Sequence, residues 1–343
     1  MDNNPKICSV CGKEGSEFRC ACKQVYYCGA ACQKAGWKGH KRDCGAHLAK
    51  QIRKKEAGGE GARGGSSLNV DHYQLGTIHF NHGRLAEAEE SFKEARRLCA
   101  LVYGEDHSAI GMLCNTLGCV YYDMGRYGDA MSTHNEALAI ARRSMGERHP
   151  DVAKCLTNIG RNYYTQGDKE KSLEYFMQAL EIDMETSGRE SQDVAISLCN
   201  ISGIHKELGK VDTCLELLEE ALGIHRRING GKDSVFMASC LANIAHVYHD
   251  QKRFEDALSN YREALAIYRR VHGEKHVRVA EMLHNIAFVH VNQNEFEEAL
   301  RLEMKALKIY RRVHGNNEHN KVAESLLFIS ELQHLQGKHG EAL

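Results

Sequence analysis

The chain has 343 residues and a formal net charge of -1, with 45 Lys and Arg against 46 Asp and Glu. That balance excludes a global field drawing it to nucleic acid or to an anionic membrane, and the length suits two or three domains or one repeat array. Only Pro5 and Pro150 interrupt a composition rich in Ala, Leu, Glu, Lys and Arg, which predicts an all-α chain.

The opening MDNNPKICSV lacks the basic-then-apolar layout of a secretion signal. No apolar run approaches the roughly 18 residues of a membrane span, so a cytoplasmic or nuclear protein is expected, without membrane partners. Of the 14 cysteines, seven crowd between residues 8 and 44 and the rest are scattered singly. Such a layout points to reduced thiols and bound metal rather than a disulfide scaffold.

Cys8, Cys11, Cys20, Cys22, Cys28, Cys32, His40 and Cys44 are candidate ligands sufficient for two closed tetrahedral zinc sites. Cys28 and Cys32, like His40 and Cys44, are one helical turn apart, so on a helix each pair points one way. Closed shells leave no place for water, which makes the two zinc ions structural rather than catalytic. Few apolar side chains accompany them, chiefly Ile7, Val10, Phe18, Val25, Tyr26, Tyr27 and Trp37. Ordering backbone costs roughly 1 to 2 kcal/mol per residue, whereas structural zinc contributes on the order of 10 to 16 kcal/mol in finger peptides. The segment is therefore expected to fold around its metal.

With Tyr26-Tyr27-Cys28, Cys32-Gln33, Trp37, His40-Lys41 and Cys44 in place, residues 8–44 resemble the MYND zinc finger. The resemblance implies interleaved sites, with Cys8, Cys11, Cys28 and Cys32 on one zinc and Cys20, Cys22, His40 and Cys44 on the other. One departure is the single Ala21 between Cys20 and Cys22, where the family usually has two residues, and it demands a tighter turn. The resemblance also implies binding of short, in several cases proline-rich, peptides near Gln33 and Trp37. The plainer reading of Trp37 is packing over a zinc site. Lys34, Lys38, Lys41 and Arg42 read as a solvated finger surface rather than a DNA contact.

Residues 45–68 form the expected connection: GAHLAKQIRKKEA continues a helix until GGEGARGGSS breaks it, giving a flexible tether on which the finger can swing.

From residue 69 to 343 the chain repeats with a period of 42 or 43. Gly83, Gly125, Gly167 and Gly209 keep this beat, continued by Lys252, Asn294 and Gly337, and so do Ala95, Ala137, Ala179, Ala221, Ala264 and Ala306. Apolar residues lie at helical spacing on both sides of each Gly, which supplies a left-handed cap to the first helix. Six helical hairpins and a truncated seventh follow, each burying its apolar face against the next. The last stops at Leu343, one turn into its second helix, so the array is expected to continue beyond it.

The pattern NxGxxYxxxG followed by A and AL resembles the tetratricopeptide repeat. Its long period and GxxH junctions (Gly104 to His107, Gly146 to His149, Gly273 to His276) are similar to the kinesin light chain type. This implies a right-handed superhelix with a concave groove. The recurring Asn158, Asn200, Asn243 and Asn285 match a position that in this family often bonds the backbone of a bound peptide. A bond between neighbouring helices is the equal alternative. Tyr122, Tyr164, Arg161, His246, His249, His284 and Phe288 are predicted to face the groove, a surface suited to peptide. Arg142/Arg143, Arg226/Arg227, Arg269/Arg270 and Arg311/Arg312 read as charges offsetting helix dipoles, and the scattered cysteines as packing.

No phosphate loop, nucleophile elbow or zinc-protease motif is present, and the repeat register leaves no room for the methyltransferase that accompanies some MYND fingers. The resulting expectation is a non-enzymatic scaffold that binds peptide segments of protein partners through finger and groove, with no nucleic acid. Alternatives are a kinesin-light-chain-like cargo adaptor, although a zinc finger occupies the place of the motor-binding coiled coil, and a regulatory subunit associated with a methyltransferase.

Overall fold

A computed structural model describes residues 18–19, 26–27, 45–57, 65–314 and 320–337. Within the finger, β1 (Phe18–Arg19) pairs antiparallel with β2 (Tyr26–Tyr27), Phe18 opposite Tyr27. Every other described element is helical. Helix α1 (Gly45–Ala57) precedes the hairpins α2/α3 (Gly65–Asn81, Leu85–Tyr103), α4/α5 (Ser108–Asp123, Tyr127–Met145) and α6/α7 (Pro150–Thr165, Lys169–Ser187). Then come α8/α9 (Gln192–Glu207, Val211–Ile228), α10/α11 (Val235–Asp250, Phe254–His272), α12/α13 (Val277–Asn292, Phe296–His314) and the lone α14 (Asn320–Leu335). Two compact units divide this series, Met1–Ile182 and Asp183–Leu343.

The connection after the finger begins as a docked helix. On α1, Ile52 is 3% exposed, in a cluster with Leu68, Leu75 and Leu98 that Leu48 and Ala49 flank. Lys55 of α1 pairs with Asp71 of α2. Helix α2 itself starts at Gly65, inside the Gly/Ser-rich stretch and ahead of residue 69 where the repeat pattern begins.

Local chemistry explains each hairpin boundary. His107, His149 and His276 are N-caps whose Nδ1 accepts from the backbone N–H of Ala109, Asp151 and Arg278 at 3.2, 3.1 and 3.2 Å. Ser191 and Ser234 cap the two intervening first helices through Oγ, accepting from Val194 and Met237. The GxxH junction is therefore a stop and a start: a glycine at φ near +80° ends one helix and a side-chain acceptor opens the next.

Close approach within a hairpin requires a small residue facing a large one. A Cβ on Gly76 would lie 2.7 Å from the Phe92 ring, and one on Gly160 would lie 2.8 Å from the Phe176 ring, while one on Gly118 would enter the His134 imidazole. All six alanines of the Ala95 series are 0% exposed. The scattered cysteines are packing residues as well: Cys114, Cys155, Cys214 and Cys240 are buried, and burial pushes the Cys114 and Cys155 thiols up to about 12. Cys199 on α8 and Cys240 on α10 bring their Sγ atoms to 3.3 Å, and this contact, then burial, holds the Cys199 thiol far above its usual range.

Lys252 and Asn294 adopt φ of +61° at the position glycine holds in the other hairpins. An L-residue with a Cβ pays for this conformation, Asn less than Lys. Lys252→Gly is therefore expected to stabilise the protein by roughly 1 kcal/mol and Asn294→Gly by less, measured as shifts in the urea unfolding midpoint.

Candidate functional site

The eight candidate zinc ligands lie outside the described residues, as do Gln33 and Trp37. Among the described residues, no group of three or more His, Cys, Asp or Glu is placed to hold a metal.

In the first unit, helices α4 and α6 bring together three of the residues predicted for the groove. Asn158 donates through Nδ2 to Asn115 Oδ1 at 3.0 Å. Its own Oδ1 accepts from Arg161 at 3.4 Å, and the Arg161 guanidinium lies 4.6 Å from the centre of the Tyr122 ring. The Tyr122 hydroxyl also meets Thr165 Oγ1 at 2.6 Å. Tyr164, which matches Tyr122 one repeat later, is 39% exposed. Asn158 thus has its carboxamide committed within the protein, to Asn115 on α4 and to Arg161 on its own helix α6. Asn115 precedes by one residue the position that matches Asn158, which Thr116 holds one repeat earlier, and it is absent from the predicted set.

The same Asn115 oxygen accepts from His134 Nδ1 at 3.1 Å. His134 is 1% exposed, and burial, helped by the Arg161 charge, lowers its pKa to about 4. The imidazole is therefore neutral in the folded protein, with its proton on Nδ1.

The second unit differs. The side chains of Asn200, Asn243 and Asn285 make no hydrogen bond among the described residues. Asn243 and Asn285, on α10 and α12, line a recess of about 270 Å³ together with His246, His284, Tyr268 and Tyr310. Arg278, Glu281 and Lys321 add charge to its wall. His246 donates from Nδ1 to the Ala242 carbonyl at 3.0 Å and meets the Tyr261 ring edge-on at 5.3 Å, and burial lowers its pKa.

His284 Nδ1 bonds Glu303 Oε2 at 2.9 Å, and Ser325 donates to the other carboxylate oxygen of Glu303, which is 0% exposed. Phe328 packs edge-on against His284 at 5.2 Å, and Phe288, 46% exposed, lies between His249 at 5.3 Å and Phe328 at 6.1 Å. The predicted His246, His249, His284 and Phe288 therefore share one face with both asparagines. Glu303 was missed, although it stands where Phe92, His134, Phe176, Leu218 and Tyr261 stand.

The family model described as "Tetratricopeptide repeat" matches residues 66–143, 112–185, 193–269, 236–312 and 280–343. The chain belongs to the tetratricopeptide repeat family. A second model, "MYND finger", matches residues 8–44 and assigns that segment to a zinc-binding module. Among curated proteins, ubiquitin carboxyl-terminal hydrolase 19 of Arabidopsis thaliana is 55% identical over 45 residues, which is 13% of this chain. The chain spans 7% of the length of that relative.

The crystal structure of BtubC (BKLC) from P. vanneervenii is similar with a TM-score of 0.56 at 24% identity, over 69% of this chain and 94% of that one. A variant form of a Podosopora anserina protein assigned as a kinesin light chain, with nearly identical TPR-like repeats, gives 0.50 at 18%, over 61% and 99%. These likenesses establish the fold.

The lowered pKa of His134 has a thermodynamic consequence. As pH falls, the unfolded chain binds the proton first, near the ordinary 6.5, while the folded protein resists it down to about 4. The stability from this site is complete above pH 6.5 and is lost as pH falls toward 4. His134→Gln is expected to flatten the pH dependence of the unfolding free energy across that window, read from denaturant titrations at a series of pH values.

Proposed function

We propose that the protein is a non-enzymatic interaction adaptor in which the MYND finger, folded around two structural zinc ions, and the repeat groove of the second unit each take a peptide segment of a protein partner. The donor set of seven thiolates and one imidazole suits closed tetrahedral zinc, four ligands to each ion. Partner contact in the finger is assigned to Gln33 and Trp37. In the repeats it is assigned to Asn200, Asn243, Asn285 and His246, with Tyr122, Tyr164, Asn158 and Arg161 offering a second surface in the first unit.

The observation that carries this reading is the contrast between asparagines at one repeat register. Asn158 is held by Asn115 and Arg161, whereas Asn243 and Asn285 face a recess with both donors and acceptors available. A carboxamide in that state matches the donor and acceptor pattern of an extended peptide backbone. Aromatic and imidazole rings around it supply apolar contact without excluding a polar main chain. Among the described residues no helix is long and apolar enough to cross a membrane.

Two modules on one chain raise the effective concentration of the second contact once the first is made, so a partner carrying both segments gains avidity without new contacts. Affinity capture with the intact chain, with Cys28→Ser and with Asn243→Ala/Asn285→Ala, followed by protein identification, separates the contributions. Cys28→Ser is expected to reduce bound zinc, measured by elemental analysis, and to lose finger partners. The double asparagine variant should keep its zinc and lose groove partners, with affinity reduced about tenfold or more. Partners retained equally by all three proteins would remove the basis for the reading.

A further inference from the structure

In four consecutive hairpins the entry is tied to the same hairpin's second helix. Arg143 Nη2 reaches Asp106 Oδ1 at 2.6 Å, Arg227 Nε reaches Glu190 Oε2 at 2.7 Å, and Arg270 Nη2 reaches Asp233 Oδ1 at 3.0 Å. All three pairs are 37 residues apart. In hairpin α6/α7 the signs are exchanged, and Arg148 at the entry reaches Glu181 on the second helix at 2.9 Å.

Hairpin α12/α13 breaks the rule. Lys275 occupies the entry position held by Asp106, Glu190 and Asp233, and Arg312 the helix position held by Arg143, Arg227 and Arg270. Both are exposed, and neither has an ion-pair partner among the described residues. Lys308, one turn before Arg312, is also exposed, and Val271 and Val313 next to this end are 42% and 47% exposed. A second surface pair is altered in the same place: Arg226 meets Glu263 at 3.4 Å, but the matching residues one repeat on are Arg269 and Lys305. Arg269 turns instead to Glu274 at 3.0 Å.

We propose that this entry is a binding site for an acidic side chain of a partner protein's peptide segment, whose carboxylate takes the place of the absent aspartate between Lys275 and Arg312. The other hairpins supply the precedent, since the same backbone frame holds one carboxylate against one arginine. Two cations at positions that form an ion pair in the other hairpins repel, and an incoming carboxylate removes that repulsion while gaining charge-assisted hydrogen bonds from both. Val271 and Val313 give the neighbouring residues of the segment apolar surface. None of Lys275, Arg312, Val271 and Val313 lines the asparagine recess, and the site does not depend on it.

The test titrates the full chain with a fluorescein-labelled octaglutamate peptide, in about 50 mM salt so that surface charge is not fully screened, reading fluorescence anisotropy. Lys275→Glu restores the pair within the hairpin; it is expected to weaken peptide binding about tenfold and to raise the thermal midpoint. Lys232→Glu, an identical charge change at the entry of hairpin α10/α11, should alter affinity less than about twofold. Equal weakening by the two variants would mean diffuse attraction and would overturn the proposal. So would tighter binding of a single-stranded oligonucleotide of the same charge, because the slot would then favour phosphate.

Discussion

Close approach of paired helices is the constraint on which everything else rests. A glycine, alanine or serine on each first helix meets a large side chain from the second, as Gly76 meets Phe92 and Gly160 meets Phe176. The fully buried alanines of the second helices keep the same closeness. Interiors packed to this density transmit changes of a single methyl group. The side chains on the opposite edge of each first helix, including Asn243 and Asn285, therefore have fixed spacing. Their usefulness for recognition derives from small residues that never touch a partner.

Two hairpins put a polar group in the large-residue position, and both connect the core to the candidate recognition face. His134 reaches Asn115, which holds Asn158. Glu303 reaches His284, which lines the recess beside Asn285. A buried carboxylate is costly unless its charge and lone pairs are satisfied, and Glu303 meets that need with His284 and Ser325. Each network replaces apolar contact with directional bonds, which fix the orientation of a groove side chain more strictly than packing does.

Much of this was legible in the sequence because repetition makes positions comparable. The beat of Gly83 to Gly337 predicted the hairpins, and the GxxH spacing marked junctions whose histidines are N-caps. The register of Asn158 to Asn285 identified a position that the structure finds committed in one unit and open in the other. Less was recovered where the signal lay in pairing between distant residues. Arg143, Arg227 and Arg270 read as dipole-offsetting charges, since nothing local indicates that Asp106, Glu190 and Asp233 lie within reach. Glu303 sat in a column of aromatic and aliphatic residues, where its burial could be inferred but its partners could not. The docking of α1 was foreshadowed only by Leu48 and Ile52, four apart on a short basic helix, and such a pair is ambiguous until an apolar surface is found to receive it.

The fate of the cysteines divides one amino acid into two chemistries. The seven assigned to the finger are of use only as thiolates, which metal coordination favours by displacing their protons. In the repeats, burial holds Cys99, Cys114, Cys119, Cys155 and Cys214 as thiols, Cys114 and Cys155 at about 12, and contact with Cys240 and then burial hold Cys199 as one. Thiolate is the reactive form toward alkylating agents and oxidants. The repeat thiols are thus chemically silent while the hairpins stay closed and become reactive only on local opening. Without any added label, the array carries its own reporters of where and how often it opens.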